Sequence, residues 1–144
     1  MTDESCHIVV LEDNQPDLIM VRRALREAGV DCRITAFTDG AEALAYIQST
    51  TSPIPDLVIL DFNVPKVAGA SVLNIIRGNT RWSRVGVFMF TASQDPADRA
   101  RIKMLGADEY LIKPMDMAGF SRFGEFVKEW LATNGEQRKG EVAQ

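Results

Sequence analysis

Short apolar runs alternate along this chain with longer segments of helical period, and four of the runs stop abruptly at polar residues. Ile8-Val9-Val10-Leu11 runs into Glu12-Asp13, and Leu57-Val58-Ile59-Leu60 runs into Asp61. Val87-Phe88-Met89-Phe90 reaches Thr91, and Tyr110-Leu111-Ile112 reaches Lys113-Pro114. Such alternation is the pattern of βαβ units, which build a parallel sheet flanked by helices. In an open parallel sheet the ligand crevice lies outside the carboxyl ends of the strands. Three carboxylates, a hydroxyl and an ammonium are therefore expected on one edge.

At 144 residues the chain fits one domain with a real core. Its hydrophobic and charged fractions, 46% and 25%, are those of a soluble globular protein. A net charge of -4 with dispersed acidic residues argues against nucleic acid as a partner. The apolar runs are too short to span a bilayer, and the acidic first residues do not read as a secretory signal. Cys6 and Cys32 make no metal spacing and are expected as two reduced thiols. A cytoplasmic protein is the expectation.

Along the chain, a strand is expected at about Cys6 to Leu11, then a helix capped at Asn14 or Gln15 with Pro16 in its first turn. Gly29 supplies its stop. A second strand, about Arg33 to Phe37, precedes Asp39 and Glu42 in a capping-box arrangement. Asp56 to Asp61 is nearly all apolar, as for a strand buried on both faces. A turn with Pro65 and Gly69 leads to a third helix, about Gly86 to Phe90 forms the fourth strand, and Asp95-Pro96 opens a fourth helix that Gly106 closes. The fifth strand is Glu109 to Ile112. A last helix, about Met117 to Leu131, sets Phe120, Phe123, Val127 and Trp130 on one stripe, read as core rather than a cofactor box.

The strand-end residues carry a coherent chemistry. Glu12, Asp13 and Asp61 at close quarters repel one another and need a compensating cation. Mg2+ suits them because it takes oxygen ligands and pairs carboxylates with phosphate oxygens. Lys113 offers a point charge and Thr91 a hydroxyl to a phosphoryl oxygen. A carboxylate can itself accept a phosphoryl group. Taken singly each residue reads as ordinary turn or cap chemistry; their conjunction at successive strand ends is what points to a site.

Val10-Leu11-Glu12-Asp13-Asn14, Leu60-Asp61-Phe62-Asn63-Val64-Pro65 with Gly69, Phe90-Thr91-Ala92 and Tyr110-Leu111-Ile112-Lys113-Pro114 together resemble the receiver domain of bacterial two-component response regulators. The resemblance covers essentially Ile8 to Leu131, and extends more weakly to the single-domain regulators that serve phytochrome-type kinases. It implies an α/β fold of the CheY-like, flavodoxin-like type: a doubly wound five-stranded parallel sheet in the order 2-1-3-4-5 with five helices. The chain is read as a receiver domain, 1–132, and a tail, 133–144, whose polar composition makes it an expected disordered end. The resemblance further implies that Asp61 is the phosphoacceptor for a sensor histidine kinase or a histidine phosphotransfer protein. Asp13, Asp61 and the main-chain carbonyl of Asn63 would ligate Mg2+, with Glu12 acting through a coordinated water. Thr91 and Lys113 would hold the phosphoryl oxygens, and Tyr110 with Thr91 would form the switch. The Lys113–Pro114 peptide matches one commonly cis in the family.

Departures are few. Gly86 replaces a frequent proline and is expected to matter little, and Lys66 reads as a solvated turn lysine. His7, the only histidine, falls on the sheet edge opposite the site and does not suit a phosphoryl donor within the chain. Arg99, Arg101 and Lys103 read as a solvated charge run as readily as a partner surface. The expected function is a switch that signals through a downstream protein partner, with no direct contact to nucleic acid or membrane. The exposed faces of the fourth and fifth helices could pair two protomers. The alternatives are a phosphorylation-independent interaction module and an aspartyl-nucleophile phosphatase. The chain is not expected to be an enzyme, because Asn63 stands where such phosphatases want a second carboxylate, leaving only slow self-dephosphorylation.

Overall fold

The structure is a computed structural model that describes residues 6–143, with side chains described through residue 134. Its strands are β1 (His7–Leu11), β2 (Arg33–Phe37), β3 (Leu57–Leu60), β4 (Gly86–Thr91) and β5 (Glu109–Ile112). The helices are α1 (Gln15–Glu27), α2 (Gly40–Gln48), α3 (Gly69–Gly78), α4 (Pro96–Met104) and α5 (Met117–Ala143). The five strands form one parallel sheet in the order β2-β1-β3-β4-β5, the doubly wound, flavodoxin-like arrangement expected.

Period-two alternation splits the strands between two cores. Val9, Leu11, Val58, Leu60, Val87 and Met89 face α2, α3 and α4, where Ile47, Leu73, Ile76 and Ile102 meet them. Ile8, Val10, Leu57, Ile59, Phe88 and Phe90 face α1 and α5, where Val21, Leu25, Phe120, Phe123 and Val127 meet them. The aromatic stripe of α5 is thus core: Phe123 stacks on Phe90 at 4.3 Å between ring centroids, and Trp130 meets Phe88 edge-on at 5.2 Å. Gly124 lets α5 approach α1, since a Cβ there would lie 2.4 Å from the Ala24 carbonyl oxygen.

Local signals explain the helix ends. Asn14, Asp39 and Asp95 each cap a helix by accepting a backbone N–H, from Asp17, Glu42 and Ala97 respectively, which satisfies donors that the first turn leaves open. α1 and α4 end before Gly29 and Gly106, at φ +85° and +102°, a region that suits glycine. α5 continues past the expected Leu131 to Ala143. The expected disordered tail falls mainly on residues 135–144, outside those whose side chains are described.

Three sequence expectations are corrected. Cys6 and Cys32 are joined by a disulfide, with Cα atoms 4.6 Å apart, rather than being free thiols. Sequence spacing hid the pairing, but the β1–β2 register sets His7 beside Arg33, so the residues before them meet face to face. Lys113–Pro114 is trans, there being no cis peptide among the described residues; trans is also the lower-energy isomer before proline. Gly86 does matter: a Cβ would fall 2.1 Å from the Trp130 ring, so the indole closes the start of β4 only over a glycine.

Candidate functional site

The carboxyl ends of β1, β3 and β5 bring Glu12, Asp13, Asp61 and Lys113 together, and Thr91 at the end of β4 meets Lys113 through its main chain. Asp61 follows β3 and donates its backbone N–H to the Leu11 carbonyl, while the Glu12 N–H reaches Phe37. Glu12 and Asp61 are buried, and Asp13 is exposed. One carboxylate oxygen from each of Glu12, Asp13 and Asp61 falls within 4.8 Å of the others. Three hard anionic oxygens at this spacing, two of them shielded from water, fit a divalent cation of the magnesium class.

Lys113 closes the other side. Its Nζ lies 2.7 Å from Glu12, 2.9 Å from Asp61 and 2.9 Å from Asp17, so all three ammonium protons have acceptors. Its backbone N–H donates to the Thr91 carbonyl at 2.8 Å, which fixes the lysine stem to the end of β4. Burial works against the lysine's charge, but hydrogen bonds to Glu12, Asp61 and Asp17 outweigh it and hold Lys113 above the ordinary lysine range. Glu12 is pushed up to about 7, mainly by burial and further by the charge of Asp61, against the opposing hydrogen bond from Lys113. One ammonium does not compensate this acidic cluster.

Asp17 was missed by sequence reasoning, which named only Asn14, Gln15 and Pro16 at this helix start. Its position in the first turn of α1, four residues after Asp13, was the available signal. The loop after β3 brings Asn63 in by its backbone, whose N–H donates to Asp61 Oδ1 at 3.2 Å. Gly69 is required behind the loop that carries Asp61, because a Cβ there would lie 2.1 Å from the Asp61 carbonyl oxygen. Lys66 takes φ +70° and pairs with Asp39 at 3.4 Å while remaining largely exposed. It steadies the turn at the edge of the site rather than entering it.

Thr91 is fully buried, and Tyr110 is nearly so. Ser93 links them: its N–H donates to Thr91 Oγ1 at 3.3 Å, and its carbonyl accepts the Tyr110 hydroxyl at 3.0 Å. The Arg99 guanidinium lies 5.6 Å from the Tyr110 ring centroid, so one member of the α4 charge run rests on an aromatic face. Ser93 could not have been singled out by type, because it acts here through its backbone. His7 lies at the far edge of the sheet, buried, with Nε2 2.8 Å from Thr35 Oγ1.

A 2-1-3-4-5 parallel sheet with an acidic cluster and a lysine at its carboxyl edge defines a flavodoxin-like domain with a candidate site for a divalent cation. The chain belongs to the response regulator receiver domain family, whose match spans residues 8–121, and so to two-component signalling. It is 33% identical over 131 residues to the probable methanogenesis regulatory protein FilR2 of Methanothrix harundinacea, covering 88% of this chain and 84% of that one. It is 30% identical over 141 residues to response regulator Rcp1 of Synechocystis, covering 92% and 96% of the two chains. The phosphorylated cyanobacterial phytochrome response regulator RcpA superposes with a TM-score of 0.82 at 26% identity, over 90% of this chain and 95% of that one. An Mn(2+)-bound form of Rcp1 superposes with a TM-score of 0.79 at 27% identity, over 87% and 93% of the chains. Similarity to phytochrome response regulators thus holds in both sequence and fold. No helix among the described residues is long and apolar enough to cross a membrane.

Proposed function

We propose that the protein is a phospho-acceptor switch in which Asp61 receives a phosphoryl group from a phosphohistidine on a sensor kinase or phosphotransfer protein. The observation that carries this reading is the placement of Asp61 between an acidic cluster and the Lys113 ammonium. In the transfer, the phosphorus–nitrogen bond of the donor breaks as a carboxylate oxygen of Asp61 bonds to phosphorus, and the imidazole leaves with the electron pair. Glu12, Asp13, Asp61 and the Asn63 carbonyl would hold Mg2+, which when bound neutralises charge between the acceptor and the incoming group. The Mn(2+)-bound Rcp1 neighbour supports a divalent metal here.

Lys113 is set to follow the new phosphoryl oxygens because it already donates to Asp61. Thr91 is the hydroxyl donor on the neighbouring strand, and its link through Ser93 to Tyr110 gives a route from the acceptor to the α4–β5 face. Asn63 offers no carboxylate for activating water, which favours a long-lived acyl phosphate over turnover. Output is by contact with a downstream protein, or through pairing of two protomers on the α4 and α5 faces. The cytoplasm is the compartment this reading implies, although a disulfide is uncommon there.

The test is acetyl phosphate with Mg2+ followed by intact-mass measurement. One phosphoryl adduct is expected, absent without Mg2+ and absent in Asp61→Asn. An adduct that survives Asp61→Asn moves the acceptor elsewhere, and no adduct on the wild-type protein favours the phosphorylation-independent module.

A further inference from the structure

Two cations compete for one set of carboxylates at this site, and they share only part of it. The metal cluster is Glu12, Asp13 and Asp61, whereas Lys113 bonds Glu12, Asp17 and Asp61. Asp13 lies only in the metal set, and Asp17 only in the lysine set. Lys113 has three protons and three acceptors, so it gains a new acceptor only by releasing an old one. If Glu12 and Asp61 turn their oxygens to a metal, the lysine needs a carboxylate that the metal does not use.

We propose that Asp17 is a positioning residue: it retains the Lys113 ammonium at the rim of the pocket, so that lysine and divalent metal are held together rather than exclusively. The inference rests on the metal reading above and assigns Asp17 no contact with metal or phosphoryl group. Asp17 is suited to this by its place. The first turn of α1 is fixed by Pro16 and by the Asn14 cap on the Asp17 N–H at 2.9 Å, so its carboxylate is presented from a rigid element. At 30% exposure against 3% for Glu12, it is the partner nearest water, where holding an ammonium costs least desolvation. Without it, Lys113 falls back on Glu12 and Asp61 alone and opposes the metal there.

The experiment is a double-mutant cycle on Mg2+ binding, read by calorimetry with Mg2+ alone, on the wild type, Asp17→Ala, Lys113→Ala and the double variant. Asp17→Ala is expected to weaken Mg2+ binding by about threefold to tenfold, and by much less when Lys113 is already alanine. Asp17→Asn, whose amide oxygen can still accept from Lys113, should lie between wild type and alanine. A purely structural role at the start of α1 would lower thermal stability alike in both lysine backgrounds and leave no coupling. Equal Mg2+ affinity with and without Asp17, or an equal loss in both lysine backgrounds, would overturn the inference while leaving the metal reading intact. A wild-type protein that binds no Mg2+ would overturn both.

Discussion

The two edges of the sheet handle polar groups in opposite ways. At the amino edge, charges are matched locally and largely against backbone. Arg77 donates to the carbonyls of Gly106, Ser83 and Val85 and to Asp108 Oδ2, and Asp108 Oδ2 also takes the Val87 N–H. Asp56 accepts the His7 N–H at 2.9 Å, and the Cys6–Cys32 bond ties the residue before β1 to the residue before β2. At the carboxyl edge, one ammonium serves Glu12, Asp17 and Asp61, with Asp13 close by. The first edge is largely a set of closed clamps, the buried His7 Nδ1 being an exception, whereas the second gathers four carboxylates around one ammonium. Incomplete compensation is costly in a fold, and it marks the edge that has work to do.

The largest effect should come from breaking a clamp. Arg77→Ala would take a donor from three carbonyls and the ion pair from Asp108, which keeps only the Val87 N–H, and is expected to lower unfolding free energy by about 3 kcal/mol. Urea denaturation should give the same loss with and without Mg2+, and a loss that Mg2+ repairs would dissolve the division between the edges. A smaller change of opposite sign is expected at the site. Asp61→Asn removes one of the carboxylates crowding Glu12 and should stabilise the metal-free protein by about 1 kcal/mol. It should also erase the rise in Tm expected from Mg2+ on the wild type, and a destabilised Asp61→Asn protein would mean that Lys113 already balances the cluster.

The smallest effect is a pH slope. Burial, then the charge of Arg33, lowers the His7 pKa from its ordinary 6.5, with Asp56 opposing. The unfolded chain therefore takes up the proton more readily, so this contribution is present above about pH 6.5 and is lost as pH falls. Glu12, raised from 4.5 to about 7, has the reverse slope: its contribution is present below about pH 4.5 and lost as pH rises towards 7. Melting between about pH 7.5 and about pH 5.5 should show a shallower acid-side fall in His7→Gln than in wild type. An unchanged slope in that variant would show that His7 does not carry the acid-side dependence.

Much of this was readable in the chain. Strand length, apolar alternation and capping residues act over a few positions, so β2 (Arg33–Phe37) and β5 (Glu109–Ile112) fall where local pattern puts them. Glu12, Asp13, Asp61, Thr91 and Lys113 were legible because parallel topology sends every strand's carboxyl end to one edge. Asp17 was not, because its role depends on where a lysine from β5, far away in sequence, comes to rest. Ser93 escaped for a related reason: a backbone group carries no signal of residue type.

By itself, then, the sequence determined the order of elements, the two-sided core and the convergence of acids and ammonium at one edge. These follow from short-range periodicity and from topological rules that hold for any parallel sheet. Tertiary structure alone decided that Cys6 meets Cys32, that Trp130 needs a glycine at position 86, and that Lys113 divides its protons among Glu12, Asp17 and Asp61. Each is a contact between side chains distant in sequence, fixed to within an ångström by strand register and helix docking, and such distances are not encoded in any local stretch of the chain.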